Sequence, residues 1–337
     1  MPQTIRPDDP RLTWQGAISF HDTPEWRMPW RIPYDDRSLF PPDALRERAA
    51  MPAGVRISFN SDMDSLAGSV VPAAESSAID LYCDGKLQGS AALEGRDGFR
   101  FDGLPAGQKL MELWLPQHGE FRLRHLEVAD GAGLEPHDDR RPRWVTYGSS
   151  ITHCRTAASP SLTWPAVAAR ACDLNLTCLG YGGGCHLEPM VARMMRDLPA
   201  DYLSMKVGIN MYTAASIGLR TFMPAILGFV HILREKHPDT PLVVISPIFS
   251  TWRENTENPV GFTLSAMRAE VAEATALMQA RGDRNLHYLD GLELFGPEMA
   301  HMLPDDLHPD AEGYQAMGRN FVEKVAATVF GRAPVPA

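Results

Sequence analysis

Two adjacent serines, an imidazole and a carboxylate stand where nucleophilic chemistry could use them. Tyr147-Gly148-Ser149-Ser150-Ile151-Thr152 follows a strand-like apolar run. A tight small-residue turn of that kind lifts a serine hydroxyl above a sheet edge and points backbone N–H groups at it. Gly-Ser-Ser is by itself also a common loop. A serine hydroxyl is a poor nucleophile at neutral pH, so it needs a base, and the base needs an acceptor for its other ring nitrogen. Leu303-Pro304-Asp305-Asp306-Leu307-His308-Pro309 could supply both, with Asp305 and His308 three residues apart in a loop before a helix. The competing reading makes Asp306 or Asp310 a helix cap and leaves His308 on the surface.

Two further segments offer hydrogen-bond donors. Val207-Gly208-Ile209-Asn210-Met211 ends a strand and places the Asn210 amide at the sheet's carboxyl edge, where it could donate to a developing oxyanion. Gly180-Tyr181-Gly182-Gly183-Gly184-Cys185 is a loop whose N–H groups can approach a ligand without Cβ interference, although the same run suits a flexible crossing. It is not a dinucleotide fingerprint, because Cys185 takes the third glycine position and the loop follows the second strand of its domain. Met211, Tyr212 and Trp252 follow strands and are candidates for an acyl or alcohol pocket, with packing between loop and helix as the alternative. His153, Cys154, Cys185 and His186 flank the same region but lack CxxC or HExxH spacing, so neither a metal nor another cofactor is expected. Met190, Met194 and Met195 sit at helical spacing and read as core. Trp26 and Trp30 could stack on a sugar or plug a domain interface.

The elements that must position these residues fall into two groups. From Leu12 to about Val128 the segments LTWQGAISF, GVRISFN, AIDLYCDG, LMELWLP and FRLRHLEV alternate with period two between Gly, Pro and Asp turns, and helical periodicity is nearly absent. Two packed antiparallel sheets, a β-sandwich of jelly-roll type, are the expected arrangement. Residues 130–143 are rich in charge and turn formers and read as a solvated linker that includes Arg140, Arg141 and Arg143. From Trp144 onward five apolar strands alternate with helices near residues 161–172, 187–198, 215–236, 264–281 and 311–330. That pattern predicts an α/β domain with a five-stranded parallel sheet covered on both faces, whose reactive groups collect at the carboxyl ends of the strands. The expected division is a β-sandwich domain with linker over 1–143 and a catalytic domain over 144–337.

The totals agree with a folded two-domain protein: 337 residues, 44% hydrophobic and 22% charged. A formal net charge of -10 repels polyanions, so nucleic acid is not an expected partner. The most apolar helical candidate, Phe222 to Leu233, is interrupted by Pro224 and His231 and is too short to span a bilayer, so no membrane partner is expected either. The opening residues show no export-type apolar core, and five cysteines without a CxxC pair suit a reducing compartment; a cytoplasmic location is the expectation. Exposed strand edges in the β domain could pair between copies as a homo-oligomer.

Taken together the four segments resemble the four blocks of the SGNH (GDSL-like) hydrolases. GSSIT stands where GDSL or GDSIT is usual, LGYGGG where LGFSGN is usual, GIN where GxND is usual, and DDLH matches DxxH. The resemblance covers essentially residues 144 to 330. SPIFSTWRENTENPVGFTLSAMR, LDGLELFG and LPDDLHPDAEGYQAMG are similar to a bacterial subfamily with an N-terminal β domain, whose GxDLY signature is matched by Ala78-Ile79-Asp80-Leu81-Tyr82 with alanine for glycine. The resemblance implies a flavodoxin-like three-layer domain. It also implies Ser150 as nucleophile, His308 as base, Asp305 orienting that base, and an oxyanion hole made of the Ser150 and Gly183 N–H groups and the Asn210 side chain. Ser149 replaces the family's aspartate and is a rival nucleophile, although the following Ile-Thr sets the register on Ser150. Gly182 stands where serine is usual, so Gly182 or Gly184 could replace Gly183. Met211 stands where aspartate follows the asparagine. The implied activity is hydrolysis, through an acyl-enzyme, of short acyl esters, acetyl foremost, of carbohydrates or small polyols. Acyl transfer by the same residues and glycan binding without turnover are the alternatives.

Overall fold

The period-two segments form two six-stranded antiparallel sheets in a computed structural model that describes residues 3–335. One sheet runs Ser19–Asp22, Arg27–Trp30, Leu123–Val128, Ser65–Val70, Gly98–Asp102, with Gln3–Ile5 added to Leu123–Val128. The other runs Leu134–Pro136, Arg56–Ser61, Lys109–Trp114, Ile79–Cys83, Lys86–Ala91, with Thr13–Gln15 added to Arg56–Ser61. Ile57, Phe59, Leu66, Leu81, Met111, Leu113 and Leu126 lie in the core between them. Ser65–Val70 alternates in burial as a strand with one wet face should.

Ile79–Cys83 does not alternate: all five residues are buried. Ile79, Leu81 and Cys83 belong to the sandwich core, whereas Asp80 and Tyr82 meet the α/β half. Asp80 accepts hydrogen bonds from the Ser161 N–H at 3.1 Å and hydroxyl at 2.6 Å, and the Tyr82 hydroxyl lies 3.0 Å from Ser161 Oγ. The second sheet is therefore covered on both faces, and the DLY motif is an interface strand.

Two features depart from expectation. Residues 130–143 are solvated only in part: Arg140 is exposed, but Leu134–Pro136 pairs with Arg56–Ser61 and Arg141 is held at 2.7 Å by both Asp139 and Glu112, two carboxylates with almost no exposure. The β half also contains a helix, Asp43–Ala49. It is only seven residues long and buries just Leu45 and Ala49, one pair at i,i+4 spacing, too little pattern to stand out from the surrounding turns.

In the α/β half, all five strands are parallel, in the order Asn175–Gly180, Arg143–Gly148, Tyr202–Lys206, Leu242–Ile245, Leu286–Leu289. Side chains alternate across Arg143–Gly148, so Trp144 packs on Trp164 and Phe321 on one face while Tyr147 stacks on Phe229 at 5.0 Å on the other. Helices Trp164–Ala171 and Ala311–Phe321 cover the first face; Pro189–Asp197, Leu219–Arg234 and Leu264–Ala280 cover the second. The helix expected from 215 starts at Leu219 because a separate turn of helix, Ile209–Ala214, ends first in left-handed Ala215. Among the described residues no helix is long and apolar enough to cross a membrane. Strand order reverses at Arg143–Gly148, and in sheets of this kind the crevice beyond the carboxyl ends at such a switch point is where ligands bind.

The lateral margin of this sheet, Asn175–Gly180, is closed by the β half. Buried Arg31 donates to the carbonyls of Cys178 (2.9 Å) and Gly180 (2.8 Å), and buried Arg56 donates to Leu176 O (3.1 Å) and Asn175 Oδ1 (2.8 Å). Burial pulls both guanidiniums below the usual arginine range, Arg56 to about 10, a cost that these bonds offset.

Candidate active site

Glycines end the first two strands of the parallel sheet because the next helix sits directly on them. A Cβ on Gly148 would collide with Thr152 Oγ1, and one on Gly180 would clash with the backbone of Thr152 and His153. This close approach places the short helix Ser150–His153 across the carboxyl edge. Ser149 is its N-cap: its hydroxyl accepts from the Ile151 N–H at 3.3 Å and only 1% of the residue is exposed. Ser150, the next residue, is half-buried with its Oγ 2.8 Å from His308 Nε2. The two rival serines thus occupy different environments, one a buried cap and one facing the imidazole.

The histidine is set by its own loop. Asp306 adopts a left-handed conformation (φ 61°), which aspartate tolerates better than most residues, and the turn brings Asp305 back onto His308. Asp305 Oδ1 accepts the backbone N–H groups of His308 (2.7 Å) and Leu307 (3.1 Å), while Oδ2 lies 2.7 Å from His308 Nδ1. Partial burial opposes the charge on Asp305, yet these bonds outweigh it and hold the carboxyl below its usual range. A carboxylate only accepts, so Nδ1 carries the ring proton and Nε2 is left to accept from Ser150. The turn Thr251–Glu254 anchors this loop from behind: Ser250 Oγ and Arg253 Nη1 donate to the Asp306 carbonyl at 2.6 and 2.9 Å. Both lie in the segment SPIFSTWRENTENPVGFTLSAMR, to which sequence reasoning gave a resemblance but no role at the site.

Asn210 is buried beside the glycine loop. Its Oδ1 accepts from the Cys185 N–H at 3.2 Å, which fixes the amide, and its Nδ2 has no protein acceptor among the described residues. Gly183 has φ 74° and open space where a Cβ would be; Gly182 borders Ser150 Cβ at 3.5 Å. The N–H groups of Ser150, Gly182 and Gly183 find no protein acceptor among the described residues, whereas the Gly184 N–H donates to Tyr181 O at 3.0 Å. Gly184 is therefore removed as a donor. His186 Nε2 lies 2.9 Å from the Gly183 carbonyl and pins the loop.

The pocket expectation needs correction at two residues. Met211 is wholly buried and presents no surface to a ligand, and Tyr212 is spent on packing, its hydroxyl donating to Thr256 O at 2.8 Å. Trp252, in contrast, is 52% exposed, stacked against Arg253 in the turn behind the His308 loop. His153 Nε2 donates to Gln117 O (2.6 Å), burial pushes its pKa far down, and among the described residues no cluster of metal-ligating side chains occurs. Trp30 packs against the core of the α/β half, the interface alternative.

Residues 141–326 match the family described as "GDSL-like Lipase/Acylhydrolase family", more than half the chain. The chain belongs to that family. Residues 12–124 match "SsfX3, N-terminal domain". No curated protein sequence matches. Among solved structures, the GDSL-like fold with this β domain is similar to "Salicylyl-Acyltransferase SsfX3 from a Tetracycline Biosynthetic Pathway", with 38% identity, 99% of each chain covered and a TM-score of 0.92. A GDSL-like lipase structure from Bacteroides ovatus shares 20% identity over the full length of both chains with a TM-score of 0.81. A family two carbohydrate esterase from Clostridium thermocellum, in complex with cellohexaose, shares 13% identity over 95% of this chain and 99% of that one with a TM-score of 0.69. These last two likenesses establish the fold. In this GDSL-like chain Ser150, Gly183, Asn210 and His308 gather at the carboxyl edge of the sheet.

Proposed function

We propose that the protein is a serine-dependent carboxylic ester hydrolase acting through an acyl-enzyme on short acyl esters. The observation that carries this reading is the unbroken chain Asp305–His308–Ser150, with contacts of 2.7 and 2.8 Å. Ser150 Oγ attacks the ester carbonyl as Nε2 of His308 takes its proton, and Asp305 holds the imidazole in the tautomer that can accept and stabilises the charge it gains. The oxyanion is met by the Ser150 and Gly183 N–H groups and by Asn210 Nδ2, all without protein acceptors among the described residues. His308 then protonates the leaving alcohol, and water enters by the same route to release the acid. An acetyl group on a carbohydrate or small polyol remains the expected substrate, with Trp252 as an exposed surface for it.

A second reading, acyl transfer to an alcohol, is favoured by one observation: the likeness at 38% identity to a salicylyl-acyltransferase. The two differ only in what resolves the acyl-enzyme. The test is turnover of p-nitrophenyl acetate, butyrate and octanoate, with products analysed in the presence and absence of glycerol. Wild type should label with a fluorophosphonate and turn over the short esters. Ser150→Ala should lose labelling and roughly 10³-fold or more of kcat. An inert wild type would overturn both readings.

A further inference from the structure

From the helix Asp43–Ala49 of the β half, Arg48 extends toward the glycine loop beside the proposed nucleophile. The point where a Cβ on Gly182 would stand lies 3.5 Å from Arg48 Nε and 3.5 Å from Ser150 Cβ, so the arginine and the serine flank the same glycine of the donor loop. Arg48 is half-buried, and among the described residues it has no carboxylate within 4.0 Å and its guanidinium finds as partner only Met51 Sδ at 3.9 Å. The acids nearby are engaged elsewhere: Glu75 meets both His118 and Arg155 at 3.0 Å, and Glu120 pairs with Arg122. Met51, Glu75, His118 and Arg122 also line a surface cavity of about 370 Å³, which opens beside the thioether that Arg48 touches.

A guanidinium is always charged, and its planar fork matches a carboxylate with two parallel N–H bonds. Its last-turn position suits the helix dipole, but the dipole uses neither the fork nor the direction toward Gly182. In a chain of net charge -10, an unneutralised arginine beside the nucleophile is a local reversal of sign. Burial pushes the nearby His118 imidazole toward its neutral form against the pull of Glu75, with Arg155 and, last, Arg48 adding to the shift.

We infer that Arg48 selects esters bearing a carboxylate close to the scissile bond. The inference rests on the esterase reading above and narrows its substrate class. Two pairs of probes locate the charge: monomethyl glutarate against dimethyl glutarate places it on the acyl side, and 4-acetoxybenzoate against methyl 4-acetoxybenzoate places it on the alcohol side. Wild type should prefer the charged member of one pair. In Arg48→Gln the charged-to-neutral ratio of kcat/KM for that pair should fall at least tenfold, and Arg48→Lys, which keeps the charge without the fork, should restore part of it. A wild type that prefers the neutral ester in both pairs, or an Arg48→Gln ratio within twofold of wild type, overturns the role of Arg48 and leaves the esterase reading standing. Failure of the wild type to react with any ester or with a fluorophosphonate overturns the esterase reading and this inference with it.

Discussion

Two margins of the parallel sheet, the edge strand Asn175–Gly180 and the carboxyl end, hold backbone polar groups without strand partners, and the protein treats them in opposite ways. Along its side, the carbonyls of Leu176, Cys178 and Gly180 are each met by a buried arginine from the β half. At its carboxyl end, the N–H groups of Ser150, Gly182 and Gly183 and the Asn210 Nδ2 are left without protein acceptors among the described residues. Unpaired polar groups are costly when buried and useful when they face a reacting atom. The contrast teaches that the β half is part of the site's foundation: Arg31 binds Gly180, the residue from which the glycine loop departs, and Tyr181 returns a bond to the Arg31 carbonyl at 2.6 Å.

Activity should be most sensitive at the open end. Asn210→Ala removes a fixed donor and should lower kcat by roughly 10² to 10³ with little change in KM, about 3 to 4 kcal/mol of transition-state stabilisation. Steady-state kinetics on p-nitrophenyl acetate would check this. A loss confined to KM would mean that Asn210 serves ground-state binding, and the open end would lose its assigned purpose. Because the Cys185 N–H also loses its acceptor, a urea denaturation curve should accompany the kinetics, with a drop of about 1 to 3 kcal/mol expected.

The sealed side should fail in the other currency, stability. Arg31→Met keeps much of the volume but strips donors from Cys178 O, Gly180 O and Met51 O, and should cost about 3 kcal/mol, read as a lower urea midpoint at unchanged slope. Activity per folded molecule should also fall, since the loop carrying Gly182 and Gly183 loses its base. If stability fell while kcat stayed at the wild-type value, the two margins would be independent and the β half would be merely a stabiliser.

Much of this arrangement was legible in the residues. The layered α/β order followed from apolar strands separated by helices, and the blocks around Ser150 and Asn210 could be placed at strand ends and that around His308 in the loop before the last helix because spacing and strand context agreed. Sequence failed where a residue's partner is distant along the chain and has no pattern. Arg31 and Arg56 look like ordinary surface arginines until the fold sets them against an edge strand more than a hundred residues away. Met211 and Tyr212 looked like pocket residues because they follow Asn210, but the short helix Ile209–Ala214 turns them into the core. Arg48 was invisible because its helix has too few apolar positions to announce itself.

The smallest expected effect is the sharpest check on which serine faces the open end. Ser149 and Ser150 are chemically alike and adjacent, so a sequence shift of one would exchange cap and nucleophile. In the fold the Ser149 hydroxyl accepts the Ile151 N–H inside the protein, and only Ser150 meets His308. Ser149→Ala should therefore cost about 1 kcal/mol in stability, the usual worth of a serine N-cap, with ester turnover falling less than tenfold. Thermal melts and p-nitrophenyl acetate kinetics on the one variant separate the two quantities. A Ser149→Ala protein that folds normally yet is dead would move the nucleophile to the buried serine, and the helix Ser150–His153 would have to unwind for catalysis.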